Sequence, residues 1–157
     1  CVVVGGWFPW RIFGLTTGRK QCLFPPDGQR ISAYNVNTGS LIWQNDYGLF
    51  SSPEFVVENG FIYAGISESS FLKINALSGQ TVWEVELPNI GASGPVVVED
   101  VLYYTHLQFE QYKLVARDAA TGNLIWETSF DDALRSDPVV VDDAGVAHYS
   151  SYSGMRQ

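Results

Sequence analysis

The stretch AYNVNTGSLIW, residues 33–43, constrains the fold of this chain more than any other because it recurs. It returns as KINALSGQTVW at 73–83 and as ARDAATGNLIW at 116–126. Each copy carries Asn or Asp, then Thr or Ser, then Gly, with Trp four residues after the Gly. Trp43, Trp83 and Trp126 follow one another at spacings of 40 and 43 residues. Self-similarity at such a period marks a repeat architecture, in which one supersecondary unit buries its apolar face by stacking on the next.

The unit is made of strands. In the copy that ends near Trp126, four short runs follow one another: GPVVVED, VLYYTHL, YKLVARD and NLIWETSF. They are rich in β-branched and aromatic residues and are bounded by turn residues, which predicts strands rather than helices. One unit is therefore four antiparallel strands in about 42 residues. The preceding unit has the same grammar, with SPEFVVENG, FIYAGIS, FLKINAL and QTVWEVEL in the four slots. Pro53, Pro95 and Pro138 keep the same register, 42 and 43 residues apart. Proline lacks an N–H and belongs at a strand start or a sheet edge. A further unit opens with DPVVVDDAGVAHYSSYSG from Asp137, enough for its first two strands. In the repeated turn, Asn35, Asn75 or Asp118 can bond the backbone just ahead of it. Gly39, Gly79 or Gly122 supplies a position that tolerates positive φ. Trp43, Trp83 or Trp126 then lies on the next strand, large enough to fill the wedge between adjacent sheets.

The pattern Ala-x-Asp-x-x-Thr-Gly-x-x-x-Trp resembles the PQQ-type repeat of the quinoprotein alcohol dehydrogenase-like β-propellers. Ala116, Asp118, Thr121, Gly122 and Trp126 match it in full, and Ala33, Asn35, Thr38, Gly39 and Trp43 match with Asn for Asp. The middle copy departs from it, with Lys73 in the Ala slot and Ser78 for Thr. The resemblance runs from about residue 30 to the C-terminus. It implies an all-β chain, a β-propeller built of four-stranded antiparallel blades, with about three to four blades present as a partial ring or a small propeller. The expected blades are 30–49, 50–91, 92–133 and an incomplete 134–157, preceded by divergent blade strands or a cap at 1–29. Propellers commonly hold four to eight blades. Closure then calls for strand exchange between the chain ends, a second chain, or a longer polypeptide, because an open ring leaves unpaired edges.

Charge narrows the partners. Seventeen acidic residues against nine basic ones leave a net charge of −8. That disfavours a nucleic-acid partner, since phosphate binding needs a basic surface, and an anionic membrane surface for the same reason. No run of 18 apolar residues occurs, so no transmembrane helix is expected. Cys1 and Cys22 are compatible with one disulfide, with two free thiols, or with a lipidated Cys1. The aromatic cluster Trp7, Phe8 and Trp10 would form either an exposed binding patch or a plug on the apolar end of the stack.

Catalysis needs convergent groups. His106 and His148 fall in equivalent second strands, 42 residues apart, which is either a metal or acid–base hint or a pair of packed structural residues. Asp131–Asp132 and Asp142–Asp143 lack a calcium-loop pattern and read as turns. No His-x-x-x-His, Cys-x-x-Cys, Gly-x-Ser-x-Gly or phosphate-loop motif occurs. The dehydrogenases that the repeat resembles hold pyrroloquinoline quinone and calcium, with an adjacent Cys–Cys pair over the quinone. This chain has no adjacent cysteines. No catalytic, cofactor-binding or metal-binding residue is assigned, and no cofactor is expected. The expectation is a non-enzymatic scaffold or protein-binding module, periplasmic or extracellular, that meets a protein partner or itself through blade edges. The alternatives are part of a quinoprotein-dehydrogenase-like enzyme, with quinone and calcium, and a structural subunit of an oligomer or filament.

Overall fold

Turn-bounded runs of β-branched and aromatic residues become strands throughout. The computed structural model describes residues 21–24, 30–47, 50–66, 70–87, 94–108, 111–130, 139–142 and 145–148. The first sheet holds β1 (Gln21–Phe24), β2 (Arg30–Asn35) and β3 (Leu41–Asp46) in that order. The second holds β4 (Phe50–Glu58), β5 (Phe61–Ile66), β6 (Ser70–Asn75) and β7 (Thr81–Glu86). The third holds β8 (Val96–Val98), β9 (Val101–Gln108), β10 (Gln111–Asp118) and β11 (Leu124–Phe130). A two-stranded sheet follows, β12 (Val140–Val141) with β13 (Ala147–His148). Every pairing is antiparallel between sequence neighbours, so each sheet is one up-and-down blade. β8 lies against both β4 and β12, which sets the first strands of successive blades side by side. The fold is the all-β propeller architecture, built of antiparallel blades.

β1 occupies QCLF, inside a stretch that sequence alone reads as turn-rich. Its neighbours Pro25, Pro26, Asp27 and Gly28 mask a four-residue strand, which pairs with β2 from Gln21↔Asn35 to Phe24↔Ser32.

Two register features recur. The hairpin between β4 and β5 turns at Asn59 and Gly60, with φ of 49° and 83°, and that between β8 and β9 turns at Glu99 and Asp100, with φ of 49° and 64°. Two consecutive positive φ angles give the turn whose twist suits a two-residue hairpin. The last two strands of each of the first three sheets carry a bulge at one repeated position, after Ala33, Lys73 and Ala116. Those three residues sit directly across from Trp43, Trp83 and Trp126. The Ala and Trp slots of the motif are therefore a cross-strand pair, a small residue facing a large one.

The core lies between blades. Ile31 and Ala33 of the first blade pack with Phe55, Ile62, Ala64, Leu72 and Ile74 of the second. Tyr63 and Phe71, on the opposite face of the second blade, pack with Leu102, Tyr104 and Val115 of the third. The alternation along β5 and β6 thus buries both faces of the second blade. Each fully buried Ile, Leu or Phe stabilises by roughly 1.5–3 kcal/mol relative to exposure.

Candidate functional site

The repeated turn is built from its own side chains. Asn35 Oδ1 accepts from the backbone N–H of Asn37 at 2.9 Å and of Thr38 at 3.2 Å. Asn75 Oδ1 does the same for Leu77 at 2.9 Å and Ser78 at 3.2 Å. Asp118 Oδ1 accepts from the Thr121 N–H at 2.7 Å and the Thr121 hydroxyl at 2.8 Å. Those Thr121 bonds hold the Asp118 carboxyl below its usual range. The chain then turns at Gly39, Gly79 and Gly122, with φ of 68°, 72° and 78°, where a side chain would be strained.

These turns meet the preceding blade at a seam of defined chemistry. Trp43 Nε1 donates to the Ala76 carbonyl at 3.0 Å. A Cβ added to Gly79 would stand 2.7 Å from Trp43 Cε3 and 2.6 Å from Asn45 Nδ2, so the indole lies flat on the glycine. Asn45 Nδ2 donates to the Gly79 carbonyl at 2.8 Å, and the Tyr47 hydroxyl donates to the same oxygen. The next seam repeats the device. Trp83 Nε1 donates to the Ala119 carbonyl at 3.3 Å, and a Cβ on Gly122 would stand 3.1 Å from Trp83 Cδ2. In both seams the acceptor is the third residue before the glycine.

Lys73 joins the second seam. Its Nζ donates to the Ala119 carbonyl at 2.7 Å, shorter than the 3.3 Å bond from Trp83 and the 3.4 Å bond from the Tyr63 hydroxyl. The ammonium stands 4.1 Å from the Phe61 ring centroid, and the residue is only 6% exposed. Burial lowers the Lys73 pKa, against the opposing pull of Asp118 and Asp100. Burial also pushes Tyr63 up to about 12, reinforced by the charges of Asp100, Glu58 and Asp118. A lone charge is costly to bury unless it is hydrogen-bonded and compensated. Here one carbonyl, two aromatic faces and two nearby carboxylates do so. The departure from the repeat pattern at residue 73 is thus a seam residue. The sequence signal that marks it is a lysine on the β-branched strand FLKIN, in the slot facing Trp83.

Trp126 differs from its two counterparts. It is 41% exposed, and among the described residues its ring contact is with Tyr103 of its own blade, with centroids 6.0 Å apart. It does not fill an interblade wedge among the described residues, because the described part of the next blade, β12 and β13, contains no strand-three-to-four turn.

The two histidines share a repeat position and nothing else. His106 is buried beside Tyr104, which stacks on Phe71 at 4.7 Å. Its Nδ1 has no hydrogen-bond partner, and burial, aided by the Lys113 charge, lowers its pKa. His148 is exposed, with Nε2 2.9 Å from Asp142 Oδ2. Asp142 also accepts from the Val146 N–H at 2.9 Å, as a turn residue does. Among the described residues, no three His, Cys, Asp or Glu side chains gather where a metal ion would sit. Trp7, Phe8, Trp10, Cys1, Asp131, Asp132 and Asp143 lie outside the described residues. What the described residues assemble is a joint: an indole donor, a flat glycine and a shared carbonyl.

Solved structures share this fold. A europium-containing methanol dehydrogenase aligns with a TM-score of 0.57 at 16% identity, over 78% of this chain and 24% of that one. A quinohemoprotein alcohol dehydrogenase from Comamonas testosteroni aligns with a TM-score of 0.57 at 17% identity, over 73% of this chain and 20% of that one. The chain therefore spans a quarter or less of those enzymes. The computationally designed Ika4 protein aligns with a TM-score of 0.63 at 11% identity, over 85% of this chain and 86% of that one. No curated protein matches the chain. The family model described as outer membrane protein assembly factor BamB, a PQQ-type repeat, matches residues 27–127 and again 68–155. By that match over most of its length, the chain belongs to the BamB family of PQQ-type repeat β-propellers.

Proposed function

We propose that this chain is a non-enzymatic propeller segment that acts as a scaffold and binds a protein partner through its blade edges. The observation that carries this reading is where the chain's polar and apolar side chains are spent. The turn acids and amides, Trp43, Trp83 and the buried Lys73 are engaged in holding turns and seams. The outermost strands are left with exposed apolar residues: Leu41 and Ile42 on β3, Val82 on β7, and Leu124 and Ile125 on β11. Each of these strands ends its sheet. An edge strand with unpaired backbone groups and apolar side chains is a template for an added strand. The family description as an outer membrane assembly factor supports a place in the periplasm or outside the cell. No described helix is long and apolar enough to cross a membrane.

A second reading, part of a quinoprotein dehydrogenase ring, draws on the shared fold of the two dehydrogenases. Two experiments separate the readings. A photo-crosslinking residue placed at 42, 82 or 125 in the cell is expected to trap a protein at one or more edges. Purified protein titrated with pyrroloquinoline quinone and calcium is expected to leave the quinone spectrum unchanged. Empty crosslinks together with a bound quinone and alcohol oxidation would reverse the assignment.

A further inference from the structure

We propose that β7, the outer strand of the second blade, is a docking edge selective for a basic extended peptide. This rests on the edge-strand reading above and names the partner that one edge takes. The three blade edges differ in charge. On β3, Asp46 stands directly across from Arg30 and is already engaged. On β11, Glu127 is bonded by Lys113. On β7, Glu84 and Glu86 are exposed and have no hydrogen-bond or ion-pair partner among the described residues. β7 also lies inside the blade series, with a described blade on either side.

Val82, Glu84 and Glu86 fall at period two, so their side chains share one face of β7. Val82 is 49% exposed. The opposite face is closed, since a Cβ on Gly122 of the third blade would stand 3.1 Å from Trp83 and 3.3 Å from Val85. β7 pairs with β6 on one side and ends its sheet on the other, where an added antiparallel strand would take up its outward N–H and C=O groups. The side chains directly opposite then meet Glu86, Glu84 and Val82 in turn. Read from its N-terminus, the matching segment is Lys or Arg, short, Lys or Arg, short, apolar. The short positions fall on the face that the Gly122 turn already occupies. Charged side chains on an edge discourage pairing with neutral strands, and like charges directly opposite repel. Glu84 and Glu86 thus turn away neutral and acidic segments, β7 of a second copy included, and favour a basic one. The net charge of −8 steers the same partner from a distance.

Amide NMR titrations of the full chain test it, with the peptide Thr-Lys-Thr-Lys-Thr-Val-Thr and analogues carrying Ser or Glu in place of both lysines. The lysine peptide is expected to shift the amides of residues 81–86. Each Lys–Glu cross-strand pair strengthens binding about two- to fivefold, so the serine peptide should bind roughly 4- to 25-fold more weakly. The glutamate peptide should leave β7 unshifted, and added salt should weaken the lysine peptide most. Glu84→Lys combined with Glu86→Lys should invert the order, so that the glutamate peptide binds best. Far-UV circular dichroism checks that variant, and if it loses its fold the three peptides on the unaltered chain decide. Equal affinity for the lysine and serine peptides overturns the charge selectivity and leaves the edge-strand reading standing. So does a silent β7 while crosslinks at 42 or 125 trap a protein. No shift at any edge, together with empty crosslinks, overturns both. Shifts of the β7 amides that grow with protein concentration alone would make the occupant a second copy, and also overturn the basic partner.

Discussion

Three glycines share a backbone conformation and differ in what covers them. Gly39, Gly79 and Gly122 all have φ near +70°, yet a Cβ on Gly79 meets the Trp43 and Asn45 side chains inside 3 Å and one on Gly39 meets nothing. Gly39→Ala should therefore cost only the left-handed backbone penalty, ~1–2 kcal/mol. Gly79→Ala should add an overpacking cost of ~1–3 kcal/mol, because the indole is held by its bond to Ala76 and cannot simply withdraw. Urea unfolding of the two variants measures the difference, and equal losses would mean that the indole does not rest on Gly79. The turn half of this device is legible in the sequence, since Asn, Gly and Trp recur at matched offsets. The acceptor half is not. The carbonyls of Ala76 and Ala119 carry no residue-type signature, because every backbone offers the same group. Lys73 is misleading for a related reason. In one dimension it is a mismatch in the repeat, and only its reach across the seam to the Ala119 carbonyl explains it.

At the scale of a strand, alternation was readable and environment was not. The runs FIYAGI and VLYYTHLQ are strands as their composition predicts. QCLF was hidden by the turn residues after it, and the equivalence of His106 and His148 did not extend beyond their position. The difference lies in packing. His106 follows Tyr104 at the period-two spacing on β9, so its ring enters the second seam. His148 lies on a two-residue strand whose neighbouring blade strands are not among those described. Burial depresses the His106 pKa below its usual 6.5. The unfolded chain then binds a proton more readily than the folded one as pH falls below about 6.5, so stability from this group is full above that pH and is lost below it. His106→Phe, close in volume and uncharged, is expected to flatten the dependence of unfolding free energy on pH below about 6.5. An unchanged slope in His106→Phe would assign the acid sensitivity to another group.

Across the whole molecule, the second blade is the keystone, because its two faces enter two different seams. Among the described strands, contacts between blades run between neighbours, so stability should behave as a sum of blade terms and nearest-neighbour seam terms. Native-state hydrogen exchange reads those terms separately. Amides of β5 and β6 are expected to exchange most slowly, since opening them breaks both seams, while those of the two-residue strands β12 and β13 should exchange fastest. Trp43→Ala should remove ~3–5 kcal/mol, the usual cost of truncating a large packed aromatic. Because Trp43 packs in the first seam alone, that loss should appear in the opening of β2 and β3 and leave β9 and β10 close to the wild type. Trp83→Ala should reverse the pattern, exposing β9 and β10 while β2 and β3 keep their protection through the first seam. If either substitution lowered protection evenly in all strands, the blades would unfold as one cooperative unit. The seams would then be parts of a single core rather than joints that add one blade at a time.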